Sequence, residues 1–114
     1  MKIVHVMNWY IPNMGYQENI LPAEQKKLGH EVYIITSDRI PHYSGYDRNV
    51  GKIVGDRVIG GGVYQANGVT IYRLPTVMDV QNGGQVIVKG LHRLLKELKP
   101  DVVQAHGTFE LITL

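Results

Sequence analysis

Short apolar runs alternate with helical patterns in the first part of the chain, and the first run begins at the third residue. Ile3 to Met7 carries no formal charge, and a run that is apolar on both faces is typical of a central parallel strand with helices on each side. Residues that favour turns follow this run, and they are Asn8, Pro12, Asn13 and Gly15. The pattern therefore predicts a buried first strand that leads into a loop ending at Gly15.

A helix and a second strand are predicted next. Apolar positions at helical spacing favour a helix over about residues 17–28, and Gly29 is expected to end it in the left-handed conformation. Pro22 is harmless if this helix begins near Glu18, because amides of the first turn have no intrahelical acceptor to lose. The apolar run from Val32 to Ile35 then predicts the second strand.

Residues 38–67 break this regular pattern. Glycines and prolines punctuate the segment, and its length favours a functional loop or an excursion from the domain. Gly60-Gly61-Gly62 follows an apolar pair, but no helical pattern comes after it, so we interpret it as a turn and not as a phosphate-binding loop. Asn67-Gly68 lies between two strand-like segments and predicts a β-hairpin.

The remainder of the chain predicts a strand, a loop, a helix and a last strand. Val69 to Leu74 would be the third strand of the main sheet, and residues 76–84 are predicted as a loop. An amphipathic pattern then predicts a second helix, with apolar positions at Val86, Ile87, Leu91, Leu94, Leu95 and Leu98. Asp101 to Ala105 would be the fourth strand, with His106 and Gly107 at its carboxyl end. The apolar stretch 108–114 stops without a cap, so we expect a chain truncated at its C-terminal end.

Composition limits the class of protein. The chain has 114 residues, 44% hydrophobic content and no cysteine, which suits one globular domain without disulfides or thiolate metal sites. A formal charge of +2 without a basic cluster argues against nucleic acid as a partner. No apolar run reaches the ~20 residues that cross a bilayer, and the N-terminal run lacks a signal-peptide cleavage site. We therefore expect a cytoplasmic α/β protein, a single domain over residues 1–114 with a Rossmann-like, doubly wound and mainly parallel sheet.

Five segments carry a resemblance to a known family: Met1–Val6, the loop ending at Gly15, Leu28–Thr36, Gly68–Pro75 and Lys99–Gly107. In this order and spacing they resemble the N-terminal half of family 4 glycosyltransferases, and they cover most of the chain outside 38–67. The resemblance implies a GT-B fold, in which two Rossmann-like domains face each other across a cleft. It also implies transfer of a sugar from a nucleotide-sugar donor, without a metal or other cofactor and with retention at the anomeric carbon.

The resemblance also implies partners for this chain. Its N-terminal domain would bind a sugar or lipid-linked acceptor and form one wall of the donor cleft, while a C-terminal domain would hold the donor. Because that second domain is missing here, the chain alone is expected to be inactive. A lipid acceptor would make the protein peripheral at a membrane.

Carried over by position, the resemblance names candidate site residues at two places. His106 matches a histidine that contacts the donor sugar, so it is the predicted catalytic residue, and Gly107 follows it. Gly15 matches a glycine-rich loop near the donor or acceptor, where Tyr16 stands in place of the usual second glycine. Glu18 falls near an acidic position of that loop, although a carboxylate in the first turn of a helix is also favoured by the helix dipole alone.

Structural roles compete with these functional ones. His5 lies inside the first strand and is most simply a hydrogen-bonded core side chain. Among the five histidines, only His106 lies both at the carboxyl end of a strand and next to a glycine. Trp9 and Tyr10 could stack on an acceptor or pack under the following loop. Tyr64 could recognise a sugar or anchor the excursion to the domain.

Two other functions remain open at this point. A sugar-nucleotide epimerase can be built on the same half-fold, because fold alone does not determine chemistry. A Rossmann-like binding module without a catalytic partner domain is the other alternative.

Overall fold

The computed structural model of the protein describes residues 1–7, 9–10, 17–39, 59–80 and 85–106. Strands and helices follow the chain in this order: β1 (Lys2–Val6), α1 (Gln17–Lys27), β2 (Glu31–Ser37), β3 (Gly62–Ala66), β4 (Val69–Leu74), β5 (Thr76–Val80), β6 (Gln85–Val88), α2 (Leu91–Leu98) and β7 (Val102–Ala105).

A mostly parallel, five-stranded sheet organises the described residues, in the order β3-β4-β2-β1-β7. Parallel pairs join β1 to β2, β1 to β7 and β2 to β4, whereas β3 runs antiparallel at one edge. The chain moves outward from β1 to β2 and β4, and it then returns to add β7 on the other side of β1. The strand order therefore reverses between β1 and β7, which is the position where doubly wound sheets bind ligands.

Alternating side chains divide the sheet into two faces. On one face, Met7, Ile34 and Ile71 belong to a buried cluster. Helix α1 lies on this face, where its Gln25 is hydrogen-bonded to His5 of β1. On the opposite face, Val4, Val6 and Ile35 are covered by the leucines of α2, which are Leu91, Leu94, Leu95 and Leu98. The fold is thus a mixed α/β arrangement with helices on both faces of the sheet, and it is compatible with a Rossmann-like domain.

The ends of the predicted elements follow local backbone chemistry. Gly29 adopts a φ of 94° and stops α1, as predicted from its freedom to enter the left-handed region. Asn67 and Gly68 have φ values of 53° and 80°, the two positive angles that a tight hairpin between β3 and β4 requires. The predictions for this hairpin and for the strand Val69–Leu74 are confirmed.

The prediction of a loop is wrong over residues 76–80, residues 81–84 lie outside the described part of the chain, and the prediction of a helix from Val86 is wrong. Thr76–Val80 and Gln85–Val88 form an antiparallel pair, β5 and β6, and the helix begins only at Leu91. Val86 and Val88 flank Ile87 in a row of β-branched side chains, which favour strands. Gly90, with a φ of 91°, separates this strand from α2.

The predicted helix over about residues 17–28 is confirmed as α1, and Pro22 lies beyond the first turn of this helix. Because α1 begins at Gln17, Pro22 is its sixth residue and removes an amide that would otherwise bond to Glu18. Its side chain is fully buried, so packing against the sheet offsets the lost hydrogen bond. Among the described residues, no helix combines the length and apolar character needed to cross a membrane.

Candidate functional site

His106 follows β7 at the carboxyl edge of the sheet, beside the place where the strand order reverses. Its backbone amide donates to the carbonyl of Val6 across 2.9 Å, so β1 and β7 remain paired to their ends. In open α/β sheets this edge is where ligands bind, because the connecting loops diverge there and leave a crevice.

A chain of side-chain hydrogen bonds joins His106 to the interior of the sheet. His5 Nδ1 lies 2.9 Å from His106 Nε2, and His5 Nε2 lies 2.7 Å from Gln25 Oε1. His5 is completely buried, whereas His106 and Gln25 are half-buried. Three elements meet here: β1 supplies His5, α1 supplies Gln25, and the end of β7 supplies His106.

Burial keeps the His5 imidazole neutral. Loss of solvent lowers the pKa of His5, the hydrogen bond that His5 donates to Gln25 raises it, and the nearby His106 lowers it further. A neutral imidazole has one N–H donor and one lone-pair acceptor. Both ring nitrogens of His5 are in hydrogen bonds, so His5 can relay the hydrogen-bonding preference of Gln25 to His106.

The other predicted site residues lie outside the described part of the molecule. Gly15, Tyr16 and Gly107 fall in residues that the structure does not describe. Glu18 belongs to α1, but its side chain is also outside the description. The structure therefore brings together His106 with His5 and Gln25, two residues that the sequence did not identify as functional.

A second polar cluster occupies the carboxyl end of β2. Asp38 Oδ1 accepts hydrogen bonds from Arg39 Nε at 2.9 Å and from the Thr76 hydroxyl at 2.7 Å. Burial alone would raise the pKa of Asp38, but these two hydrogen bonds and the Arg39 charge lower it overall. The Asp38 carbonyl also accepts from the amides of Ile59 and Gly60, so this cluster ties residues 59–60 to the sheet.

Arg73 is a buried cation at the carboxyl end of β4. Its guanidinium donates to the carbonyl of Tyr10 at 2.7 Å and to that of Ser37 at 3.4 Å, and it lies 5.8 Å from the centre of the Tyr64 ring. No carboxylate of the described residues forms an ion pair with it. Burial lowers the pKa of Arg73, while Tyr64, Tyr10 and Asp38 act in the opposite direction. Arg73 thus joins the ends of β2 and β4 to Tyr10, which lies in the segment after β1.

The aromatic residues considered for acceptor stacking have structural contacts. Tyr10 is buried in the apolar cluster beneath α1, in agreement with packing rather than stacking. The Tyr64 hydroxyl donates to the carbonyl of Gly61 at 3.1 Å, and its ring faces Arg73. Both contacts favour an anchoring role for Tyr64. Trp9 is half-buried at the same edge.

The opposite, amino edge of the sheet contains a shallow polar depression of about 340 Å³, lined by Met1, Lys2, Gly29, Glu31, Lys99 and Asp101. Lys2 Nζ donates there to the carbonyl of Leu98, and its backbone amide donates to Asp101. These contacts join the starts of neighbouring strands. We therefore assign this edge a structural role.

The described residues contain no group of three or more histidine, cysteine, aspartate or glutamate side chains that could hold a metal ion. A scan against protein-family models matches no family, and searches of curated proteins and of solved structures return no significant match.

Proposed function

We propose that this chain is the acceptor-side domain of a retaining glycosyltransferase with a GT-B fold. In this proposal it binds a sugar or lipid-linked acceptor and forms one wall of the cleft for a nucleotide-sugar donor. The observation that carries the proposal is His106, at the carboxyl edge between β1 and β7, hydrogen-bonded to a fully buried histidine. The order of the five sequence segments that resemble this family supports it.

The proposed chemistry needs orientation more than acid–base strength. In a retaining transfer, the bond between the anomeric carbon and the nucleoside diphosphate breaks, and the oxygen of an acceptor hydroxyl bonds to the same face of that carbon. The proton of that hydroxyl passes to the departing diphosphate. His106 would bind a hydroxyl of the donor sugar and hold the anomeric carbon beside the acceptor, which lowers the entropic part of the barrier. The rigid β1–β7 pair supports this role, because precise groups belong on rigid elements.

Ligand-observed NMR tests this proposal on the chain itself. Saturation of the protein should transfer to the sugar protons of UDP-glucose or GDP-mannose more strongly than to the base protons, because the base would be held by the other domain. His106→Ala should reduce this transfer, and His92→Ala should not, since His92 is exposed on α2. Saturation transfer mainly to the base protons would contradict the proposal. Equal transfer from the His106→Ala and His92→Ala variants to the sugar protons would also contradict it.

An activity assay tests the division of labour between the two domains. The 114-residue chain on its own should transfer no sugar from any nucleotide-sugar donor, because in this proposal an acceptor-side domain supplies only one wall of the donor cleft. Sugar transfer by this chain alone would contradict that division. Chemical change of the bound sugar without an acceptor, in the form of its epimer, would favour the epimerase alternative.

A further inference from the structure

We propose that His5 and Gln25 are positioning residues, which set the tautomer and the ring orientation of His106 through a continuous hydrogen-bond chain. The importance of His106 for a ligand rests on the proposed function above. The hydrogen-bond chain does not, since it follows from the geometry of the described residues alone.

The chain of contacts is fixed by the fold at each of its members. His5 belongs to the central strand β1 and is completely buried, so its ring cannot turn toward solvent. Gln25 lies on α1 and His106 at the end of β7, on the same face of the sheet as His5, and their polar atoms lie 2.7 Å and 2.9 Å from the His5 ring nitrogens. Register pairs His5 with Gln104, which sets His106 two residues further along the same face.

The carbonyl oxygen of Gln25 determines the direction of the whole chain. In this amide orientation the oxygen lies 2.7 Å from His5 Nε2 and only accepts, so the Nε2 of a neutral His5 carries the proton and the lone pair lies on Nδ1. His106 Nε2 faces that lone pair and must therefore donate to it. A neutral His106 then has its own lone pair on Nδ1, so at Nδ1 it acts as an acceptor or base and not as a donor. The flipped amide would donate instead and give the opposite tautomers, which the ring ¹⁵N shifts distinguish.

Hydrogen bonds of this kind orient functional histidines, because the hydrogen bond at one ring nitrogen determines whether the other nitrogen carries a proton or a lone pair. The alternative is that two neighbouring histidines merely satisfy each other in the interior. In that case the tautomer of His106 would not depend on Gln25. The two explanations therefore differ in a measurable property of His106.

Nitrogen NMR of the wild-type chain gives the first test, at pH 8.5, which is well above the ordinary pKa of about 6.5 for an imidazole. The ¹⁵N shifts of the two ring nitrogens distinguish the protonated nitrogen from the lone-pair nitrogen. With the Gln25 oxygen toward His5, we expect a protonated Nε2 on both His5 and His106, and a scalar coupling across the hydrogen bond between His5 Nδ1 and His106 Nε2. A protonated Nδ1 on His106, or absence of the coupling, would overturn the proposal even if every variant failed to fold.

Substitution of Gln25 gives the second test. Gln25→Met removes the acceptor at similar volume, so both histidines should become mixtures of tautomers, and their two ring ¹⁵N shifts should move toward each other. Gln25→Glu keeps only acceptor atoms, so it should preserve the wild-type tautomers at this pH. Lys27→Met, at an exposed position of the same helix, is the matched control and should leave the shifts unchanged. An unaltered His106 in a folded Gln25→Met variant would overturn the proposal.

Measurement of nucleotide-sugar binding distinguishes a failure of the positioning proposal from a failure of the proposed function. If the tautomers respond as expected and Gln25→Met weakens saturation transfer to UDP-glucose, both proposals are supported. If the tautomers respond but the wild-type chain binds no nucleotide sugar, the proposed function fails and the positioning chain stands.

Discussion

The buried imidazole of His5 couples the stability of the domain to pH. In the unfolded chain His5 has the ordinary pKa of 6.5, whereas burial lowers the pKa in the folded state. As the pH falls below 6.5, the unfolded state therefore binds a proton that the folded state does not. The free energy of unfolding should be fully developed above pH 6.5 and should decrease below it, by up to about 1.4 kcal/mol per pH unit.

Urea unfolding at pH values from 8 to 5 measures this effect. The wild-type midpoint should decrease over the acid half of the range, and His5→Asn should give a flatter profile because the titrating group is gone. Asp38 does not interfere, since its pKa is lowered from 3.8 and its contribution is lost only at a more acidic pH. A profile as steep in His5→Asn as in the wild type would show that another group is responsible.

Arg73 should be the most sensitive residue for stability at the carboxyl edge. Arg73→Met keeps the buried stem but leaves the carbonyls of Tyr10 and Ser37 without their donor, and we expect a loss of about 2–3 kcal/mol in the free energy of unfolding. Arg93→Met on the exposed face of α2 is the control and should change it by less than about 0.5 kcal/mol. Similar urea midpoints for the two variants would mean that Arg73 does not hold the strand ends together.

The sequence contained part of the information about these residues. Arg73 follows Val69 and Ile71 at alternate positions of one strand, so its inward direction could have been recognised from the period of two. Gln25 interrupts the apolar stripe of α1, which is a signal of a polar partner inside. Local patterns do not encode strand order, so they do not reveal the contact between His5 and His106. The doubly wound sheet order, with the first strand beside the fourth, is what places these two strands together.

The elements themselves show where local propensity and periodicity disagree. Leu91, Leu94, Leu95 and Leu98 define a true helical stripe, and the extension of this stripe to Val86 and Ile87 fits the same spacing. The β-branched side chains of Val86 and Ile87 favour a strand, and Gly90 favours an end to that strand before the helix begins. Where spacing allows both structures, the type of side chain determines which of them forms.

The turn between β3 and β4 provides a test at the scale of one element. Gly68 has a φ of 80°, so Gly68→Ala should lower the free energy of unfolding by about 1–2 kcal/mol, the cost of a β-carbon in the left-handed region. The new methyl group would meet only the flexible side chain of Lys26, at 3.4 Å, so strain in the backbone is the main effect. Thermal or urea unfolding measures the loss.

Asn67→Gly is the matched comparison for this turn. Asn67 also has a positive φ, of 53°, but glycine adopts that angle without a steric penalty. This variant should remain within about 0.5 kcal/mol of the wild type. If Gly68→Ala were as stable as Asn67→Gly, the turn would not require the left-handed conformation at position 68.

At the scale of the whole molecule, the order of strands brings His5 and His106 together at the carboxyl edge of the sheet. Doubly wound sheets bind ligands where the strand order reverses. His106, the one predicted site residue whose side chain is described, lies at this edge, beside the reversal between β1 and β7. The sheet order, the burial of His5 and the hydrogen bonds to Gln25 make this edge a preorganised surface. The amino edge, in contrast, uses its polar groups to join the starts of the strands.

Histidine side-chain NMR during titration with a nucleotide sugar tests the central proposal most directly. The chain has five histidines, and their imidazole resonances can be assigned by single substitutions. With UDP-glucose or GDP-mannose, the resonances of His106 should move most, those of His5 should follow through the shared hydrogen bond, and those of His30 and His92 should remain unchanged. His30 lies at the amino end of β2. If its resonances shifted while those of His106 did not, or if no histidine resonance shifted, the result would contradict a donor cleft at the carboxyl edge.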